Sequence, residues 1–134
     1  MLKIGRHQQR VWSLQILYAL DLTENLDTDF YKVKISELKK EHDLSNDHYY
    51  FEELIQGVLA NYPEYDNMIN QTAIDWEVSR MAYVDRNILR ISIHEMKNEI
   101  PVAVVINEAV EIAKEYADQK SAKFINGILA KLSL

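Results

Sequence analysis

The chain has 134 residues, a formal net charge of −6, 48% hydrophobic and 27% charged residues, 3 Gly, 2 Pro and no Cys. That length suits one domain with one main core, so few turn residues argue against an all-β fold, and the missing thiols exclude disulfides and thiolate nucleophiles or metal sites. No apolar run approaches the ~18 residues of a membrane span and no signal-peptide core follows the first residues, so no membrane association and a cytoplasmic location are expected.

Helix is predicted almost everywhere. From Arg6 to about Leu22, Val11, Leu14, Leu17 and Tyr18, with Ile16 and Leu20 beside them, form a wide apolar stripe, and Trp12 extends it. A loop at 22–29 carries cap residues, and Asp27 to Asp29 can start a second helix. In that helix Phe30, Tyr31, Ile35 and Leu38 turn inward and Lys32, Lys34, Lys39 and Lys40 outward. A third helix runs over 43–62 through Phe51, Leu54, Ile55, Val58 and Tyr62. Pro63 is expected at the first position of a separate fourth helix, 63–76. A fifth spans 84–99, with Ile88, Ile91 and Glu95 on one line and Leu89, Ser92 and Met96 on the next. A sixth enters at Pro101 and turns Val105, Ile106, Ala109, Val110, Ile112 and Ala113 inward. Its β-branched "VAVV" favours a strand locally, but the helical "INEAVEIAKEY" that follows overrides it. A seventh covers 121–132, with Ser121 as its N-cap. Gly127 inside it costs about 1 kcal/mol relative to Ala, for which a close helix–helix contact is the usual compensation.

No catalytic chemistry emerges. "HEMKN" (94–98) begins like a zinc-protease motif, but the second ligand position is Asn98. Glu108, Glu111 and Glu115 are expected on a solvated helix face. No glycine-rich loop cradles a phosphate, and no cofactor or metal is expected.

Charge is uneven. Residues 1–20 carry +3, residues 21–77 carry −10 and residues 78–134 carry +1. The basic tip holds Lys3, Arg6 and Arg10 with His7 beside them, and Trp12 and Tyr18 lie on the same helix. Cations for phosphates and flat rings for bases are what a single-stranded nucleic acid requires. Composition alone leaves a protein–protein adaptor equally open, and Trp12 reads as core.

The stretch 84–132, with "INEAVEIAK" and "SAKFINGILAK", resembles the C-terminal half of the NusB family of bacterial transcription antitermination factors. "SLQILYALD" at the N-terminus fits the same family. Residues 23–75 match only in helical pattern. The resemblance implies one all-α domain over 1–134, about seven helices in two packed sub-bundles, and no enzyme activity. It implies binding of single-stranded boxA RNA of ribosomal RNA transcripts together with NusE, a small-subunit ribosomal protein. It also implies work within an RNA polymerase antitermination complex that promotes read-through.

By position, the resemblance assigns RNA contacts to Lys3, Arg6, His7, Gln8 and Arg10, to Gln15 and Tyr18, and to Lys120, Ser121, Lys123 and Phe124. The last four should lie close to the N-terminal helix. Tyr18 and Asp85 are assigned to the NusE partner face. The chain departs from its relatives in two places: "RHQQR" thins an arginine run, and Lys120 replaces a frequent acid. Lys120 is expected to offset part of the loss, and protonation of His7 to strengthen RNA binding as pH falls through ~6.5. Two other readings remain: a fragment of a ribosomal RNA cytosine methyltransferase carrying a NusB-like domain, and a helical adaptor that binds NusE or another protein without RNA.

Overall fold

The computed structural model describes residues 4–132. Within them lie six α-helices: α1 (Arg6–Leu22), α2 (Tyr31–Glu41), α3 (Tyr50–Thr72), α4 (Tyr83–Lys97), α5 (Val102–Tyr116) and α6 (Gln119–Lys131). A single 3-10 turn, Val78–Arg80, precedes α4. Helix α1 packs on α3 and α4 with α2 at its flank, while α5 and α6 pack on each other and on α4. The N-terminal and C-terminal groups therefore meet at α4. That is why α4 is buried nearly all round: only Tyr83, Val84, Arg86 and Lys97 escape burial. It packs on α1 and α3 and also on α5 and α6.

Helix α1 matches its predicted span, and Trp12 lies in the core, edge-on to Phe51 at 5.5 Å between ring centroids. The expected break at Pro63 is absent. Residues on both sides of it belong to one continuous helix, α3, with Pro63 inside. The buried face Phe51, Leu54, Ile55, Val58, Tyr65 and Ile69 runs straight through that position. Packing of this stripe on α1 and α4 outweighs the one backbone hydrogen bond a proline removes. The expected third and fourth helices are thus one.

Three smaller differences have local causes. Helix α2 begins at Tyr31 with Phe30 at the cap position and no side-chain cap; Asp27, an expected helix start, instead accepts a hydrogen bond from the Tyr62 hydroxyl at 2.8 Å. Lys39 turns half inward to pair with Glu52 at 3.0 Å. The cap of α6 is Asp118, not Ser121: an Asp118 carboxylate oxygen accepts from the Ser121 backbone N–H at 2.7 Å, the capping geometry at which Asp excels. Gly127 faces open space rather than a neighbouring helix; the close approach is at Gly57, where an added Cβ would fall 2.1 Å from the His94 ring.

A buried polar network ties α1 to α3 and α4. Asp21 accepts from Arg86 at 2.7 Å, Asn87 at 2.9 Å and Arg90 at 3.0 Å, and Arg90 also grips Asp66 at 2.8 Å. With every partner satisfied, the network fixes the end of α1 against α4 instead of destabilising the core.

Candidate nucleic-acid interface

The basic tip of α1 divides in two. Arg10 is 5% exposed, and its Nε donates to both carboxylate oxygens of Glu95 on α4 at 3.0 Å. The Tyr50 hydroxyl donates to the same carboxylate. Arg10 is therefore an internal ion pair, and its expected place on a cationic surface is corrected: the carboxylate it neutralises lies in the core. Arg6 is exposed and lies flat over the Tyr50 ring, 3.8 Å from the centroid. Stacking on the ring restricts the long side chain at the surface. Lys3 lies outside the described residues.

His7 is exposed between two acids of α5. Its Nδ1 lies 2.7 Å from Glu108 and its Nε2 3.7 Å from Glu115. The hydrogen bond to Glu108 holds its pKa above the usual histidine value. Glu108 and Glu115, expected on a plain solvated face, are thus part of this edge. Down α1, Gln8, Gln15, Tyr18 and Leu22 are exposed and share one face by helical spacing. Tyr18 meets Tyr83 of α4 edge-on at 6.2 Å.

The junction of α5 and α6 is tied to α1 at one place and to α4 at another. Glu115, in the last turn of α5, reaches His7. Ser121, in the first turn of α6, donates to Asp85 of α4 at 3.3 Å, two residues along α4 from the Tyr83 that meets Tyr18. Ser121, expected close to α1, has its side-chain hydrogen bond to α4 instead. Lys120 is exposed and Phe124 half-buried. Lys123 turns away, lining a separate groove between α5 and α6 with Ala103, Ile106 and Val110.

Between the 3-10 turn and α6 lies a pocket of about 300 Å³, lined by Trp76, Arg80, Met81, Ala82, Asp85, Asp118, Lys120, Ser121 and Phe124. Trp76, half exposed, meets Phe124 edge-on at 6.3 Å. Asp85 is 9% exposed, and its Oδ1 has no hydrogen-bond partner among the described residues. Burial pushes its pKa up, the Ser121 hydroxyl pulls it partly back, and Asp118 adds repulsion. A buried acceptor left unmade costs about 1–3 kcal/mol. Asp85 is therefore sunk in the same pocket as Lys120, Ser121 and Phe124, rather than standing on a separate face. Trp76 was missed from sequence because Ile69, Ala73 and Trp76 keep helical spacing in the expected 63–76 helix, so it read as one more apolar residue there. Arg80 falls between the expected fourth and fifth helices, where no pattern marked it.

Comparison with known proteins gives one family. The model of the NusB family matches residues 7–133. The transcription antitermination protein NusB of Halothermothrix orenii is 51% identical over 130 residues, 97% of either chain. That of Bacillus pumilus is 40% identical, over 95% of this chain and 93% of its own. Among solved structures, T. maritima NusB superposes with a TM-score of 0.79 at 29% identity, covering 96% of this chain and 90% of that one. A crystal structure of antitermination factors NusB and NusE in complex with dsRNA superposes with a TM-score of 0.77 at 27% identity, covering 95% and 96%.

Proposed function

We propose that this chain, which belongs to the NusB family, is a transcription antitermination factor that binds single-stranded boxA RNA together with NusE and so promotes read-through by RNA polymerase. It acts by binding, not by catalysis. The observation that carries the reading is the exposure of Arg6, His7, Gln15 and Tyr18 along α1 and of Lys120, beside half-buried Phe124, at the start of α6, on two helices that both pack on α4. These helices bring together cations and aromatic rings in an otherwise acidic chain, the pairing a single strand requires. The NusB–NusE–RNA assembly formed by a structural relative supports both partners.

Within this reading Arg10 supports the edge from below by locking α1 to Glu95, and Arg6 and Lys120 approach phosphates as exposed charges. Tyr18, beside Leu22, stands at the end of α1 that NusE covers. The test is a titration of fluorescent boxA RNA with the full chain, alone and with NusE. Salt-sensitive binding that NusE tightens is the expected result. NusE binding with no effect on RNA would instead make the protein an adaptor.

A further inference from the structure

We propose that the pocket under Trp76 and Phe124 is a base-reading site that takes one unstacked guanine, with Asp85 as the residue that selects it. This rests on the RNA-binding reading above and assigns Asp85 to RNA rather than to the protein partner.

Four observations meet in the pocket. First, its walls are flat: Trp76 from the loop before α4 and Phe124 from α6 meet edge-on at 6.3 Å, and Trp76 is 52% exposed, leaving a ring face for stacking. Second, Asp85, nine-tenths buried, has a hydrogen-bond acceptor that the protein does not satisfy. Oδ2 takes the Ser121 hydroxyl at 3.3 Å, while Oδ1 takes nothing among the described residues. Third, Asp118 also lines the pocket, and two carboxylates together repel a phosphate and favour N–H donors. Fourth, Arg80 and Lys120 are exposed among the pocket's lining residues, where they suit the backbone phosphates flanking a base inserted between them.

The chemistry of the bases then decides. Uracil offers one ring N–H, and adenine and cytosine one exocyclic amine. Guanine alone presents adjacent N1–H and N2–H donors on its Watson–Crick edge, and that pair matches the two oxygens of a carboxylate. Oδ2 keeps a second lone pair after accepting from Ser121. A volume of about 300 Å³ admits a purine, and reading unpaired bases by their edges while stacking them on aromatics is the general mode for single-stranded RNA.

The test uses the full chain and three labelled heptamers: U7, U3GU3 and U3IU3, where inosine lacks the N2 amine. Wild type is expected to bind U3GU3 about tenfold tighter than U3IU3, the scale of one lost donor at a buried acceptor. In Asp85→Asn the amide N–H meets guanine's donors, so the ratio should fall to about one. Using the ratio removes any general loss of stability from the comparison. Trp76→Ala is expected to weaken U3GU3 about tenfold and U7 by less. Equal binding of the three heptamers by wild type would overturn this inference while leaving RNA binding intact. No salt-sensitive binding of any heptamer or of boxA would overturn the RNA reading as well. A ratio unchanged in Asp85→Asn, with NusE binding abolished, would overturn the inference by giving the pocket to the partner protein.

Discussion

Arg6 and Arg10 stand one helical turn apart in a run of the same charge, yet Arg10 is consumed by a carboxylate 85 residues away in the chain. Spacing and net charge cannot reveal that pairing, so both arginines read alike from sequence. They separate by mutation. Arg10→Ala strands Glu95 in the core and should cost about 3–5 kcal/mol in urea unfolding. Arg6→Ala should leave unfolding nearly unchanged and flatten the salt dependence of RNA binding by ~0.7 in log–log slope. His7 was visible as a titratable residue, but its partners on α5 were not. Because Glu108 raises its pKa, the sign follows: its stabilising contribution is complete below ~6.5 and is lost as pH rises through the higher folded value. Being exposed, the pair contributes little to stability. An NMR titration should place the His7 midpoint above ~6.5, and Glu108→Gln should lower it. The onset of any His7-dependent gain in RNA affinity belongs at that same raised midpoint.

Helix positions were legible wherever one apolar stripe governs a segment, as in α1, α5 and α6. The "VAVV" of α5 shows the rule: local β propensity yields to a helix-period face that α4 and α6 bury. Errors arose where a strong local signal met a stronger packing one. Pro63 announces a boundary, but the face from Phe51 to Ile69 is buried as one surface and carries the helix across it. The cap of α6 was misplaced by three residues because Asp118 and Ser121 are both good caps, and only geometry shows which side chain meets which N–H. Asp118→Ala should destabilise the protein by about 1 kcal/mol. Gly127→Ala is expected to stabilise it by about 1 kcal/mol, since a Cβ there meets nothing within 4 Å. Both are read from thermal or urea unfolding. Gly57→Ala, the opposite case, drives a methyl into the His94 ring and should destabilise.

At the scale of the molecule, the all-helical class and the family were readable from the chain because the C-terminal motifs are specific. The arrangement of the proposed binding edge was not, because its parts come from α1, α4, the loop before α4 and the α5–α6 junction. Trp76 and Arg80 entered only once folding set them opposite Phe124 and Lys120. Lys120 is exposed beside the Phe124 pocket; if it offsets the thinned arginine run, Lys120→Asp should weaken boxA binding and reduce its salt slope, whereas Lys123→Asp, on the far groove, should do so less. A competing lysine-lined groove of about 530 Å³ lies beside α2, where Lys32, Lys39 and Lys40 stand with Asp43 and Glu52. Mapping amide and side-chain NMR shifts as boxA RNA is added to the NusE-bound protein tests the central claim most directly. Perturbations are expected at Arg6, His7, Gln15, Trp76, Lys120 and Phe124. Perturbations confined to the α2 groove, with these residues unmoved, would contradict it.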